Sequence, residues 1–254
     1  METNQQKINI LRAKEDYSNK NVANQYQMFT KEIGLWASEE FVFNKFVQKQ
    51  ASVLDVGCGA GRTTFGLYKL GYTNIRGVDV SKRLIKMAKS NAKDLKTPIN
   101  FDVMDAMALK FQSNSFDAVL FSYNGLMTIP KKENRQMAVN EISRVLKPGG
   151  MFIFTTHDRE NGTQYSEFWK EEKLKWENNT QDPRLYEFGD RLVSEAGEEL
   201  FVHIPNLKEV YSLLAAAGLK CVFTKMRWDI CATPKIEKDV FGECRFFVAK
   251  KDEK

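Results

Sequence analysis

The feature of this 254-residue sequence that most constrains its fold is the segment VLDVGCGAGR at 53–62. A short apolar run leads into three glycines within five residues, and a helical pattern begins near Arg62. Glycine allows backbone angles that other residues avoid and lets a ligand approach the backbone closely. The segment therefore predicts a strand, a tight glycine turn and a helix, with a ligand site where the strand ends.

Apolar runs alternate with helical patterns along the rest of the chain. Five runs rich in valine, isoleucine and phenylalanine are predicted to be buried strands, at 53–56, 75–80, 99–103, 116–122 and 151–155. Strands that alternate with helices pair in parallel through right-handed crossovers. The sequence therefore predicts an α/β fold built on a mostly parallel sheet.

Two helices are predicted within this alternation. One spans about 131–146 and is ended by the Pro-Gly-Gly at 148–150. The other begins after Ser81, a good N-cap, and its apolar face is formed by Leu84, Ile85, Ala88 and Ala92.

The C-terminal part of the chain has a different pattern. Asn206 and Glu209 have the spacing of a capping box, and Gly218 ends the helix that they begin. The last apolar runs, 219–228 and 243–250, have no helical pattern between them. They are therefore predicted to pair as an antiparallel hairpin at the sheet edge.

No internal repeat or low-complexity linker divides the chain, so a single domain spanning 1–254 is expected. Its predicted parts are an N-terminal helical segment (1–50), a ligand-binding core (51–157), a cap insertion (158–202), and a C-terminal helix and hairpin (203–254).

Composition excludes several classes of protein. A net charge of +5 permits contact with anions without requiring nucleic acid. The N-terminus lacks the apolar block of a secretory signal and no run is long enough to span a membrane, so a cytoplasmic protein is expected. The chain has two histidines and no C-x-x-C pair, so neither a metal site nor a disulfide is predicted for Cys58, Cys221, Cys231 and Cys244.

Carboxylates follow the predicted strands at the same edge of the sheet. Asp79 comes 22 residues after Gly57 and can accept hydrogen bonds from two ribose hydroxyls. Asp105 can accept from an adenine amino group while the Ala106 amide donates to the ring. Asp55 can hold the glycine turn or a cationic amine.

A nicotinamide-binding turn is the alternative for this pattern, because G-x-G-x-x-G with an acid about 20 residues later is its fingerprint. Here the third glycine, Gly61, comes one residue early, and Arg62 stands where that fingerprint requires a glycine. The spacing therefore disfavours the nicotinamide interpretation.

The combination of motifs resembles the class I S-adenosylmethionine-dependent methyltransferases, and most closely their small-molecule branch of ubiquinone and menaquinone methyltransferases. The resemblance implies a Rossmann-like, doubly wound, seven-stranded sheet whose last pair is antiparallel. It rests on five segments in order: VLDVGCGAGR (53–62), GVDVS (77–81), FDVMDAMAL (101–109), SFDAVLFSYNGL (115–126) and RVLKPGG (144–150).

The resemblance also implies which residues bind the cofactor. The glycine turn would line its methionine part, Asp79 and Val80 its ribose and adenine, Asp105 and Ala106 its adenine. Phe121 and Ser122 would lie beside the sulfonium, and an N-terminal aromatic residue would cover the site. The full predicted set is Asp55, Gly57, Cys58, Gly59, Gly61, Arg62, Asp79, Val80, Asp105, Ala106, Phe121 and Ser122, with Tyr26 or Trp36 as the cover.

The implied reaction is in-line attack of an acceptor on the sulfonium methyl. An acceptor that must lose a proton needs a base, and the candidates are His157 and His203. Tyr123 is a candidate for orienting the substrate. The alternative for each histidine is a loop position satisfied by backbone groups, and the alternative for the tyrosine is an aromatic wall of the site.

A small-molecule acceptor is the leading hypothesis. The insertion is aromatic and carries ten acidic and five basic residues over 167–199, which suits an aromatic or cationic acceptor and disfavours nucleic acid. A lysine stripe over 82–96 suits RNA contact or a solvated helix face. An RNA methyltransferase and a catalytically silent cofactor-binding subunit stay open as alternatives, and the sequence predicts no oligomeric state.

Overall fold

The computed structural model describes residues 7–253. Its helices are α1 (Ile10–Asp16), α2 (Lys20–Met28), α3 (Ala37–Phe46), α4 (Arg62–Lys69), α5 (Lys82–Asp94), α6 (Lys132–Val145), α7 (Ser166–Glu177), α8 (Leu207–Ala216) and α9 (Lys235–Val240). Its strands are β1 (Val53–Val56), β2 (Ile75–Asp79), β3 (Asn100–Val103), β4 (Phe116–Phe121), β5 (Leu146–Thr156), β6 (Asp190–Glu195), β7 (Glu198–His203), β8 (Leu219–Met226) and β9 (Arg245–Lys251).

Seven strands form one sheet in the order β3-β2-β1-β4-β5-β9-β8. The first five are parallel, while β9 is antiparallel to both β5 and β8. This order confirms the predicted Rossmann-like fold with its antiparallel C-terminal pair. The strand order reverses between β1 and β4, and ligands of such sheets bind where the carboxyl ends of the strands meet at that reversal.

The helices cover both faces of the sheet through apolar stripes. In α5 the four apolar residues predicted to face inward are all buried, and the Ser81 hydroxyl accepts from the Leu84 amide at 3.3 Å. The lysines of the predicted stripe are exposed on the opposite face. Asn206 and Glu209 form the predicted capping box at the start of α8.

Two of the predicted boundaries are wrong. Helix α6 ends at Val145, and β5 begins at Leu146, which pairs with Phe116, so Pro148 and the following glycines lie within the first part of the strand. Leu146 is already in an extended conformation, so the helix ends before the Pro-Gly-Gly and not at it. The segment between β8 and β9, expected to hold no helix, contains α9.

The N-terminal segment and the insertion lie outside the main sheet. The insertion contains α7 and a separate two-stranded antiparallel sheet of β6 and β7. The backbone of Ile8 donates to Arg184 of the insertion at 3.1 Å. We call α1, α2 and the tip of the β6–β7 hairpin the roof, because they meet above the carboxyl ends of the strands. No helix between residues 7 and 253 is long and apolar enough to cross a membrane.

Candidate active site

A crevice with about 840 Å³ of empty space, part of it open to solvent, lies at the strand-order reversal. We call the strand ends and the loops that follow them its floor; the roof closes it from above. Its lining residues are Ile10, Ala13, Lys14, Tyr17, Tyr26, Val56, Gly57, Asp79, Val80, Leu84, Met104, Asp105, Ala106, Met107, Phe121, Ser122, Tyr123, Gly125, Thr128, Ile129 and Pro130. A smaller cavity beside it is lined by the glycine turn, Arg62 and Thr63.

The glycine turn forms a cradle that a side chain would fill. Gly57, Gly59 and Gly61 have φ angles of +65°, +56° and +96°. A Cβ on Gly57 would lie 2.6 Å from the Phe121 ring, closer than packed atoms approach. The floor therefore needs glycine at this position both for its backbone angle and for its space.

Asp79 holds the turn from the end of the next strand. One carboxylate oxygen accepts from the Gly59 amide at 2.9 Å and the other from the Ser81 amide at 2.8 Å. Burial raises the pKa of Asp79, although these two hydrogen bonds oppose the rise. Each oxygen keeps a further lone pair, so the carboxylate can still accept from a ligand in the crevice.

Asp55 does not line the crevice. It is buried at the end of β1, where the Thr63 and Thr64 hydroxyls donate to one of its oxygens at 2.5 and 2.6 Å. Burial raises its pKa to about 7, with the two threonine hydrogen bonds opposing. In this structure Asp55 links β1 to the first turn of α4. Of its two predicted roles, this contact resembles holding the glycine turn and not binding a cationic amine.

Asp105 lies where the floor meets the roof. Its oxygens accept from the Met107 amide at 3.0 Å and from the Lys14 ammonium of α1 at 2.6 Å. Ala106 and Val80 line the crevice beside it. The Lys14 contact had no sequence signal, because nothing in the pattern of α1 relates it to a residue 91 positions away.

Arg62 forms a buried ion pair. Its two terminal nitrogens each lie 2.7 Å from an oxygen of Glu39, a residue of α3 that sequence reasoning missed. Ser122 donates to the same carboxylate, and Arg62 also donates to the Ser122 hydroxyl at 3.2 Å. Arg62 and Ser122 thus lie beside the glycine turn and both bond to Glu39, and their contact with a cofactor stays a prediction.

The two aromatic residues predicted as a cover have different positions. Tyr26 of α2 lines the crevice, and its ring lies 3.4 Å from where a Cβ on Gly59 would be. Trp36 is only 1% exposed and does not line the crevice. The guanidinium carbons of Arg62 and Arg227 lie 4.7 and 4.0 Å from its ring centroid. Tyr26 is therefore the one that occupies a covering position.

Cys58 is buried within the turn, and burial raises its pKa well above the usual value. Its amide donates to the Val78 carbonyl at 3.0 Å, and a Cβ on Gly77 would lie 2.8 Å from its Sγ. Its side chain therefore packs against β2. Cys58 also lines the smaller cavity, so its backbone is the part that a ligand there could contact.

Neither histidine lines the crevice. The His157 ring nitrogens lie 3.0 Å from the Glu243 carbonyl and 3.1 Å from the Asn124 amide nitrogen, and burial lowers its pKa. His203 Nδ1 lies 2.8 Å from Asp190 at the base of the β6–β7 hairpin. His157 thus has the backbone partner that the alternative interpretation expected, whereas His203 lies in β7 and contacts the side chain of Asp190.

Tyr123 is the candidate that faces the crevice. It follows β4 with a φ angle of +49°, a conformation that tyrosine rarely adopts and that is common at functional sites. Its hydroxyl lies 3.5 Å from the Glu195 carboxylate at the tip of the β6–β7 hairpin. Burial raises the pKa of Tyr123 far above its usual value, so it stays protonated at neutral pH.

Among the described residues, one cluster could offer three ligand atoms to a metal ion, namely Glu187, Asp190 and His203. Glu187 is paired with Arg135 at 2.6 Å, and Asp190 accepts from two backbone amides and contacts His203. These carboxylates are already engaged by groups of the protein.

Comparison with known proteins agrees with this geometry. A family model described as a methyltransferase domain matches residues 53–150. Demethylmenaquinone methyltransferase of Staphylococcus aureus is 37% identical over 109 residues, which are 42% of this chain and 43% of that protein. The matched region spans less than half the length of that curated relative.

Solved structures match the fold over most of this chain, although their sequence identity to it is low. An S-adenosylmethionine-dependent methyltransferase from Methanosarcina mazei superposes with a TM-score of 0.68 at 21% identity, over 87% of this chain and all of that one. The 4+2 cyclase SpnF gives 0.68 at 17% identity, over 97% and 98% of the two chains.

The fold, the order of the motifs and the family match agree with one another. Residues 53–150 therefore match the methyltransferase-domain family, and the chain shares its fold with S-adenosylmethionine-dependent methyltransferases of known structure.

Proposed function

We propose that this chain transfers a methyl group from S-adenosylmethionine to a small molecule. The observation that carries the proposal is the crevice, whose lining includes Gly57 of the glycine turn and the side chains of Asp79 and Asp105. These groups suit the amino-acid, sugar and base parts of that cofactor, respectively. Two amide contacts already orient Asp79, so it needs no reorganisation to bind a ligand.

The residues present fit the cofactor, which when bound supplies an electrophilic methyl group on a positively charged sulfur. Asp79 would accept from the ribose hydroxyls, and Asp105 and the Ala106 amide would hold the adenine. Phe121 and Ser122, which line the crevice, would lie near the reacting centre. Holding the reactants in line inside a closed crevice can lower the barrier by roughly 7–11 kcal/mol.

A small acceptor is supported by the way in which the roof covers the crevice. Residues of α1 and α2 line the crevice, and the hairpin tip contacts both α2 and Tyr123. A folded macromolecule would have to displace these elements to bring its acceptor atom to the floor. A cytoplasmic location remains a prediction from the sequence.

Binding and transfer are tested separately, because this fold also occurs in a cyclase. We expect S-adenosylhomocysteine, and not NAD, to raise the melting temperature of the full chain. A metabolite extract incubated with tritiated methyl donor should then give a labelled small product. If S-adenosylhomocysteine bound but no labelled product formed, the chain would be a catalytically silent cofactor-binding subunit. If the label appeared in co-purified RNA, the chain would be an RNA methyltransferase.

Substitution of Asp79 tests the assignment of the ribose site. We expect Asp79→Asn to weaken S-adenosylhomocysteine binding roughly 10- to 100-fold, since a charged hydrogen-bond acceptor is worth about 1.5–3 kcal/mol. Asp102→Asn is the matched control: it lies on the next strand, paired with Arg76 outside the crevice. Calorimetric titration gives both affinities, and equal affinities would refute the assignment.

A further inference from the structure

Three tyrosines and one carboxylate meet where the roof closes over the crevice. Tyr17, Tyr26 and Tyr123 all line the crevice, and their rings are arranged as walls rather than as a stack. The Tyr17 and Tyr26 rings are 6.3 Å apart at 82°, and the Tyr26 and Tyr123 rings are 5.8 Å apart at 66°. A tyrosine ring attracts a cation that lies over its face, within about 6 Å of the ring centroid.

Glu195 adds a negative charge behind these rings. It is partly buried, accepts from the Gln25 amide at 3.1 Å and lies 3.5 Å from the Tyr123 hydroxyl. Among residues 7–253, no lysine, arginine or histidine forms an ion pair with it or lowers its pKa. A partly buried carboxylate without a cation is costly, and a bound cation would offset that cost.

The hydroxyl of Tyr123 adds a directional requirement. It has a single proton, and the nearby Glu195 carboxylate can only accept that proton. The Tyr123 oxygen then has only lone pairs to offer to the crevice, so a group that meets it there must bring an N–H or an O–H. An ammonium group satisfies both this requirement and the charge of Glu195.

We propose that the acceptor is a small amine, bound as its ammonium form by Tyr17, Tyr26 and Tyr123 and selected by the charge of Glu195. This inference rests on the proposed methyl-transfer function and specifies its substrate class. The ammonium and the donor sulfonium are both positively charged and would repel each other in one crevice. The negative charge of Glu195 would offset this repulsion.

The transfer step balances with these residues. The ammonium gives one proton to the Tyr123 oxygen as Tyr123 gives its own proton to Glu195. The nitrogen lone pair then forms a bond to the methyl carbon while the carbon–sulfur bond breaks and its electron pair stays on sulfur. The products are an N-methylammonium, a neutral thioether and one proton, which Glu195 passes to water.

Binding probes of equal size test the charge selection. With the full chain saturated with S-adenosylhomocysteine, we expect benzylamine to bind roughly 10- to 100-fold more tightly than benzyl alcohol, as a charge-assisted contact provides. Glu195→Gln should abolish this preference. Glu198→Gln, which removes the paired residue across the same hairpin, should keep it.

A pH profile distinguishes proton transfer from a merely structural role. Tyr17, Tyr26 and Tyr123 face Glu195, and Asp16 lies next to Tyr17. Burial raises the pKa of Glu195, so with the best amine acceptor kcat should fall as the pH decreases through that raised pKa. Glu195→Gln should lose this acidic limb, and Glu195→Asp should restore it.

Several outcomes would overturn the inference: equal affinities for the two probes, no binding of either, or an unchanged preference in Glu195→Gln. If that variant weakened binding of S-adenosylmethionine but not of S-adenosylhomocysteine, Glu195 would face the donor sulfonium instead. Failure of S-adenosylhomocysteine to bind the unmodified chain would refute the proposed function itself. Cofactor binding without amine selection would refute only this inference.

Discussion

The floor and the roof of the crevice are held by different kinds of contact. In the floor, the Asp79 carboxylate is fixed by the amides of Gly59 and Ser81, which lie within 20 residues of it. In the roof, Lys14 and Glu195 are fixed by side chains that are 91 and 170 residues away. The floor is thus a local property of consecutive strand–loop–helix units, whereas the roof depends on distant segments meeting.

The sharpest test of this comparison concerns Arg62, where the floor is joined to α3. We expect Arg62→Met to lower the free energy of unfolding by about 3–5 kcal/mol, because Glu39 would remain buried without its partner. Arg76→Met is the control: its pair with Asp102 has side chains 37% and 40% exposed, and its loss should cost less than about 1 kcal/mol. Urea denaturation measures both.

Similar losses in the two arginine variants would mean that the floor is not anchored through this pair. Cofactor affinity adds a second comparison, since Arg62 was predicted from the sequence as a cofactor ligand. A loss of S-adenosylhomocysteine binding well beyond the loss of stability would favour that direct role.

A smaller effect is expected from the pH dependence of Asp55 in the floor. Its pKa is raised from 3.8 to about 7 on folding, so between these values the folded protein holds a proton that the unfolded chain releases. The free energy of unfolding therefore falls as the pH rises. From pH 5 to 7 we expect the unmodified chain to lose about 2 kcal/mol more than Asp55→Asn.

Denaturation curves at both pH values measure this difference, and the variant corrects for every other titrating group. Parallel losses in the two proteins would show that Asp55 is ionised in the folded state. A larger loss in the variant would reverse the sign and contradict the assignment.

The smallest effect is expected in the roof. The side chains of Lys14 and Asp105 are 31% and 29% exposed, so water screens their ion pair. Lys14→Met should change the free energy of unfolding by less than about 1 kcal/mol and weaken S-adenosylhomocysteine binding roughly two- to fivefold. Lys20→Met, in the next helix, is the control for general loss of charge. If Lys14→Met lowered the free energy of unfolding as much as Arg62→Met, the contacts of the roof and of the floor would contribute equally to stability, contrary to this comparison.

Much of the floor was predictable from the sequence. The runs at 53–56 and 116–122 correspond to β1 and β4 within one residue, because strands buried on both faces are continuously apolar. The left-handed glycines and Asp79 were predictable because a loop that approaches a ligand requires those residue types at that spacing.

The roof was not predictable, for a physical reason. Glu195 and Lys14 have the local patterns of ordinary surface residues, and only the tertiary fold brings them to the crevice. The two histidines illustrate the converse, since His157 follows β5 at the correct edge of the sheet and yet bonds to Glu243 and Asn124. Position along a strand thus indicates the edge but not the direction of a side chain.

The 170-residue separation of Gln25 and Glu195 also has a kinetic consequence. Closing so long a loop is entropically expensive and becomes favourable only once the intervening strands have paired. During refolding, the hairpin tip should therefore dock onto α2 late. A chain that had folded its central sheet alone would therefore expose the proposed cofactor site before the proposed acceptor site had formed.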